Sequence, residues 1–460
     1  MVALSPKAIL EGRTSNRAPL PLLVALVVAS ACVFLVFAFY LVSGGLLGTT
    51  ISLVLTIPTG VALVALLLGI DRLEPEPRLN LVLTFCWGAG VAVLGALIIN
   101  TSSDAALGAT MGTGPAEVVG TAVVAPVVEE SMKGSLLLFL LVFRRHELDG
   151  PTDGIVYAGF VGLGFALVED VLYYLQGLGG PVDQLASTVV VRGVLSPLAH
   201  PLYTAMTGLA VAYAATHRGW HRYLVILAGW CGAVLLHGMW NAAAAVGAEG
   251  LAVAWLVELG VLVALGVVLV RDRRRVVRLI QRYLPAYGPS GLVQPVDVAM
   301  LGSLAGRRQA RRWARGNAGV IGMQAMSDYQ LAATELALLH ARAENRAIAP
   351  KLFHERQQAI LSLMKVARDA FFRRQPQVQR PAWAVGGSSG FFAPPKPGSG
   401  GPLPPAPRQA GSQQAGPRQS GPQQHGPRGH PEQATRRLRF PRPPGPQQPP
   451  RDPRQQGPPR

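Results

Sequence analysis

Four stretches of this sequence place groups that can move protons or ligate a metal inside otherwise apolar surroundings. They are Glu129-Glu130-Ser131-Met132-Lys133, Phe165-Ala166-Leu167-Val168-Glu169-Asp170, Arg192 with His200, and His237-Gly238-Met239-Trp240-Asn241. Lys133 follows Glu129 by four positions, one helical turn, so its ammonium can neutralise part of the paired carboxylates' charge. Asn241 follows His237 by the same interval, which puts an amide beside an imidazole on one helix face. Adjacent carboxylates project about 100° apart on a helix, so one of Glu129 and Glu130 can point into a shared site while the other works from its edge. A division into general base and metal ligand or orienting group follows.

These groups are expensive where they stand. A charge near the bilayer centre costs at least about 2.5–3.5 kcal/mol, so ionisable residues on membrane spans are candidates for function. A single intramembrane His or Glu is commonly no more than a satisfied interhelical hydrogen bond. Arg192 and Asp170 read naturally as such structural partners, and Glu258 in the last apolar stretch stands apart from the others. Two His and three Glu on four consecutive spans are harder to explain that way. Glu129 and Glu130 lie about ten residues from the outer end of their span, Glu169 about seven and His237 about nine, so at about 1.5 Å per residue they share one layer. His200 counts deeper.

The elements that must position them are membrane helices. The chain of 460 residues is 50% hydrophobic and only 15% charged, against about 25% charged for soluble domains. Apolar stretches at 19–43, 50–70, 79–99, 119–143, 154–176, 184–215, 223–246 and 250–271 are each long enough to cross about 30 Å of hydrocarbon. The expected fold is all-α: a polytopic membrane bundle of about eight transmembrane helices over residues 19–275, after a cytosolic segment, 1–18. With the N-terminus inside, Arg72, Arg78, Arg144, Arg145, Arg218, Arg222 and Arg271 to Arg275 all fall on one side, as the positive-inside rule requires. That describes a multi-pass plasma-membrane protein with both termini cytoplasmic. The first stretch follows basic residues as a signal peptide would, but its length and the lack of an A-x-A-like stretch make it a span.

Residues 276–375 read as a cytosolic connector and a helical hairpin at 327–374. Asp328 is placed to cap the first helix and Pro350 to open the second, whose Phe353, Ile360, Met364, Ala367 and Phe371 recur at helical spacing. Residues 376–460 are rich in Pro, Gly, Gln and Arg without periodicity, and read as a disordered basic tail, a solvated extension first and, as the alternative, a docking segment for a cytosolic partner through its Pro-rich pieces. The net charge of +17 comes without an RNA-binding fingerprint or zinc spacing, so attraction to anionic lipid headgroups explains it better than nucleic acid does. Cys32, Cys86 and Cys231 lie in apolar runs and read as small buried hydrophobes.

In these motifs the sequence resembles the PrsW family of intramembrane proteases, which look like relatives of the CAAX-processing and bacteriocin-processing membrane proteases. The resemblance rests on Glu129-Glu130-x-x-Lys133, Phe165-x-x-x-Glu169, His200-Pro-Leu-Tyr-Thr204 and His237-x-x-x-Asn241. Asp71-Arg-Leu-Glu-Pro-Glu-Pro77 and Gly159-Phe-Val-Gly-Leu-Gly-Phe165 add to it, and it covers roughly residues 50–270. It implies hydrolysis of a peptide bond in or near the membrane, in a membrane-anchored protein such as an anti-sigma factor. In the CAAX-type relatives the first Glu of the pair looks like the base that activates water, and the last His and Asn look like oxyanion stabilisers. Carried over, those roles fall on Glu129, His237 and Asn241, with Glu130 completing the pair and Lys133, Phe165 and Arg192 in support. Glu169 stands where those relatives carry a His. Neutral His200 and His237 with a carboxylate from Glu169 or Glu130 would supply the two-His, one-Glu set of a catalytic zinc, leaving Glu129 to take the proton from bound water. A metal-free version keeps Glu129 as base.

Two other classes of function fit parts of the same pattern. A transporter or proton relay also uses intramembrane Glu/His chains, although no convincing repeat relates the two halves. A non-catalytic membrane scaffold would use the hairpin and tail to recruit partners.

Overall fold

The computed structural model describes residues 6–10, 20–73, 75–345 and 348–372, all within one unit, Met1–Leu403. The tail expected at 376–460 and most of segment 1–18 lie outside the described residues. The helices are α1 (Pro6–Leu10), α2 (Leu20–Ile70), α3 (Arg78–Met111), α4 (113–143), α5 (Pro151–Leu178) and α6 (182–195). They continue as α7 (Ala199–Thr216), α8 (His221–Val246), α9 (Ala248–Tyr283), α10 (Pro295–Leu301), α11 (Leu304–Glu344) and α12 (Pro350–Phe372). No strand occurs among the described residues.

The architecture is a polytopic helical membrane bundle. Among the described residues, six stretches are long and apolar enough to cross a membrane: α2, α3, α5, α6 with α7, α8 and α9. Helix α4 has comparable length but carries Glu129, Glu130 and Lys133. As one straight rod, the 51 residues of α2 would reach about 75 Å, more than twice the hydrocarbon thickness. Gly45, at φ 65° and ψ 173°, breaks it into two legs, a backbone state that glycine adopts without a Cβ penalty. The first leg's Tyr40 hydroxyl donates to the Val168 carbonyl at 3.1 Å. Leu67 of the second leg packs in one apolar cluster with Val156 and Phe160. Both legs therefore flank α5.

Helix α5 is the central column. Pro151 opens it, and the Asp153 carboxylate accepts from the Gly150 amide at 2.9 Å, satisfying donors that the first turn leaves unpaired. Every residue from Asp153 to Ala166 is buried. A helix with no polar stripe packs on all sides, and in membranes small residues set how closely neighbours come. Gly162 and Gly164 show why the motif Gly159 to Phe165 reads as it does. A Cβ on Gly162 would stand 2.7 Å from the His200 backbone, and one on Gly164 only 2.1 Å from the Phe85 carbonyl oxygen. These glycines let α7 and α3 press against α5, and the first contact sets the position of His200.

The sixth expected span, 184–215, is not one helix. Pro197 lacks an amide donor, and the chain leaves helical geometry after Leu195 to restart at Ala199. Arg192 therefore ends α6 while His200 opens α7, so the depth counted for His200 along a continuous helix does not hold. The C-terminal region also differs from expectation. Helix α9 does not stop at the arginines but runs to Tyr283, and Val276, Ile280 and Leu284 join a second apolar core with Leu336, Met364 and Phe371. The first helix of the expected hairpin starts at Leu304, capped by Ser303, whose hydroxyl accepts from Gly306 N at 3.0 Å, and breaks at Gly319. Asp328 lies within it and caps nothing, whereas Pro350 does open α12. The second core is tied to the membrane helices by Arg307, which donates to the Leu73 carbonyl at 2.8 Å, and by an Arg342–Asp149 ion pair.

Candidate active site

Helices α4 to α8 converge on one buried cluster. Glu129, Glu130 and Lys133 project from α4, and Lys133 and Glu130 are fully buried. The Lys133 ammonium donates to Glu130 Oε1 at 2.8 Å, lies 3.4 Å from Glu129 Oε2, and donates to His200 Nδ1 at 2.8 Å. It also sits 3.8 Å from the centre of the Phe165 ring on α5, so the aromatic face supplies the remaining contact for a cation out of water. On α5, Glu169 accepts from His200 Nε2 at 2.9 Å and pairs with Arg192 of α6. Arg192 also pairs with Asp170 and lies over the Tyr173 ring. Wide π-type turns at Gly120–Val124 and Val191–Leu195 precede Glu129 and carry Arg192. Such turns shift the register of the residues they feed and recur at functional sites.

The network fixes the two imidazoles differently. His200 Nδ1 accepts from Lys133, so its Nε2 carries the proton and donates to Glu169. His237 donates from Nδ1 to Glu130 Oε1 at 3.1 Å, which leaves the lone pair of Nε2 facing Glu129 Oε2, 3.8 Å away. Thr204 donates to the other oxygen of Glu130 at 3.0 Å. Glu130 is thus committed to Lys133, His237 and Thr204, while Glu129 keeps spare acceptor capacity. Glu129, Glu169, His200 and His237 line a cavity of about 330 Å³.

Asn241 lines the same cavity one turn beyond His237, but its amide donates to the Thr121 carbonyl at 2.9 Å, so one of its two N–H groups is already engaged. Two contributors were not legible as such. Tyr203 stacks on His237, with ring centroids 5.1 Å apart and 21° between planes, and its hydroxyl donates to the buried carboxylate of Glu258 on α9. Glu258 does not stand apart: through Tyr203 it touches the site. The signal was present, since a lone carboxylate in an apolar span needs a partner; nothing in the spacing named Tyr203.

Glu129, His200 and His237 together offer one donor atom each, all within 4.8 Å of one another, a group that could hold a metal ion. The chemistry of these donors fits a divalent ion of the zinc type. His237 already presents a free Nε2 backed by a carboxylate on Nδ1, the usual second contact of a ligating imidazole. His200 would join by releasing either Lys133 or Glu169.

Residues 76–270, which contain all four motifs, match the sequence profile described as PrsW family intramembrane metalloprotease. The membrane core is PrsW-like. A Protease PrsW of Shouchella clausii is 33% identical over 112 residues, covering 24% of this chain and 47% of the relative. One of Oceanobacillus iheyensis is 30% identical over 116 residues, covering 25% and 49%, and one of Clostridioides difficile is 28% identical over 158 residues, covering 33% and 63%. The chain thus spans about half the length of the first two relatives. No solved structure matches the chain. The second core, 276–372, lies beyond the PrsW-like segment.

Proposed function

We propose that the PrsW-like core is an intramembrane protease that hydrolyses a peptide bond of a membrane-anchored protein, with water activated at Glu129. The observation that carries this reading is the buried cluster of Glu129, His200 and His237 opening on a cavity. Glu129 is the carboxylate with room to accept a water proton, and its charge is held in place by Lys133 without being consumed by it. Glu130 orients His237 and Lys133. The second amide hydrogen of Asn241 is available to an oxyanion at the cavity wall, where a fixed donor acts more strongly than in water. His200 and His237 would hold a zinc-type ion beside Glu129, and that ion when bound would polarise the water and the scissile carbonyl. An anti-sigma factor is the substrate class that the resemblance implies. The test compares membrane proteins that persist in cells carrying wild-type protein with those in cells carrying Glu129→Gln. A substrate should accumulate uncut only with the variant, and identical profiles would reject the reading.

Tyr203 and Glu258 act as a positioning pair for His237. Tyr203→Phe removes the hydroxyl that satisfies a buried carboxylate and frees the ring stacked on His237. Activity should fall about tenfold to a hundredfold, as for partners that orient a ligating imidazole. Little of that loss should return in Tyr203→Phe/Glu258→Gln, because the hydroxyl that ties the ring to α9 is still missing. Rescue by the double change would assign the defect to the unsatisfied carboxylate and not to the position of His237.

The arginine asymmetry supports an orientation with both termini cytoplasmic in the plasma membrane. Reporter fusions at residues 47 and 110 should then read as external and those at 148 and 219 as internal. Two reversed readings would overturn that orientation.

A further inference from the structure

At the arginine-rich end of the membrane helices, where α5 begins and α7 ends, a cavity of about 930 Å³ opens toward the C-terminal helices. Its charge is mostly positive, with five arginines and two aspartates in its lining. Arg271, Arg275 and Arg278 follow one another by four and three positions, so they share a face of α9, and that face lines the cavity together with Arg145 and Arg218. Arg145 is fixed at the wall: its guanidinium donates to the Ala215 carbonyl at 2.7 Å and to those of Ala214 and His217 at 3.2 and 3.1 Å. Burial, and to a lesser extent the neighbouring Arg222 and Arg218, hold that guanidinium below its usual range. Two carboxylates also face the cavity and both are committed. Asp272 accepts from the Thr152 hydroxyl at 2.7 Å and pairs with Arg275 at 3.1 Å, and Asp149 pairs with Arg342. Arg271 and Arg278 have no carboxylate partner among the described residues.

We propose that this cavity binds a phosphate-bearing anion. Guanidinium forks match phosphate oxygens two at a time, and several of them facing one volume repel one another until an anion lies between them. The volume is on the scale of ligand sites, about 300–1,000 Å³, and suits a headgroup or a polyphosphate better than a lone ion. The chain's own residues 376–460 are the wrong sign to fill it, since Glu432 and Asp452 are their only acids amid many arginines. The phosphate can belong to an anionic lipid at the membrane surface or to a soluble molecule, and the binding experiment separates the two.

Full-length protein in nanodiscs of phosphatidylcholine alone would be titrated with pyrophosphate, and compared with protein in discs containing phosphatidylglycerol, with thermal unfolding as readout. Stabilisation by pyrophosphate in neutral discs assigns a soluble ligand; stabilisation by phosphatidylglycerol alone assigns a lipid headgroup. Arg271→Ala/Arg278→Ala should weaken the effective half-saturation by about tenfold or more. Arg273→Ala/Arg274→Ala removes the same charge from the same segment, but neither residue lines the cavity, and it should change it little. Equal losses in the two pairs would reduce the effect to general attraction and overturn the proposal. So would stabilisation by an acidic peptide but by neither phosphate source, or no stabilisation at all.

Discussion

Glu129→Gln is expected to slow cleavage by about a thousandfold or more while the protein stays near wild-type abundance. Glutamine keeps the shape and one acceptor oxygen, so it can retain the long 3.4 Å contact to Lys133, yet it cannot take a proton from water. Glu130→Gln makes the contrast. Its carboxylate receives Lys133 at 2.8 Å, His237 at 3.1 Å and Thr204 at 3.0 Å, all in a fully buried position. Removing that charge leaves the ammonium without its closest counter-ion, and breaking a buried pair costs about 3–5 kcal/mol. Glu130→Gln should therefore lose abundance as well as activity. Purified protein and a membrane-anchored substrate separate the two by specific activity per folded molecule. Groups that act as one unit are not additive, so Glu129→Gln/His237→Asn should be hardly slower than either single change. Normal specific activity in Glu129→Gln would end the protease reading.

Counting along helices placed Glu129, Glu130, Glu169 and His237 in one layer, because rise per residue is a constant of the helix and apolar runs mark the membrane. The same count misplaced His200: it assumed a continuous span, and Pro197 ends one helix before His200 starts the next. Gly45 lay between two apolar runs and gave no sign that the turn would be a single-residue break. The pairing of Lys133 with both carboxylates followed from spacing, but its contact with His200 joins α4 to α7 and has no local signature. Asn241 was placed correctly one turn beyond His237, while its bond to Thr121 depends on how α8 packs against the wide turn of α4. The C-terminal helices were legible by period, but the start of α11 was not, since Ser303 and Asp328 are both acceptable caps and the second core decides between them.

The metal test follows from charge balance inside the cluster. Glu129, Glu130, Glu169 and Asp170 are four carboxylates among buried helices, and Lys133 and Arg192 are the two cations that pair with them. Two negative charges remain when all four are ionised, a costly excess away from water unless protons or a divalent ion neutralise it. Glu129, His200 and His237 offer donors of the type such an ion takes. Full-length protein purified without chelator should therefore contain about one zinc-type ion per chain by elemental analysis. His237→Ala should lower that content about tenfold or more, because it removes the one imidazole nitrogen already free to bind. Asn241→Ala should leave it unchanged, since its amide is directed to Thr121. Metal content is read without any substrate, so this result stands apart from proteolysis. A preparation with no bound ion that cleaves at the full rate would reject the metal while leaving Glu129 as base. Equal metal content in wild type and His237→Ala would place any ion elsewhere in the chain.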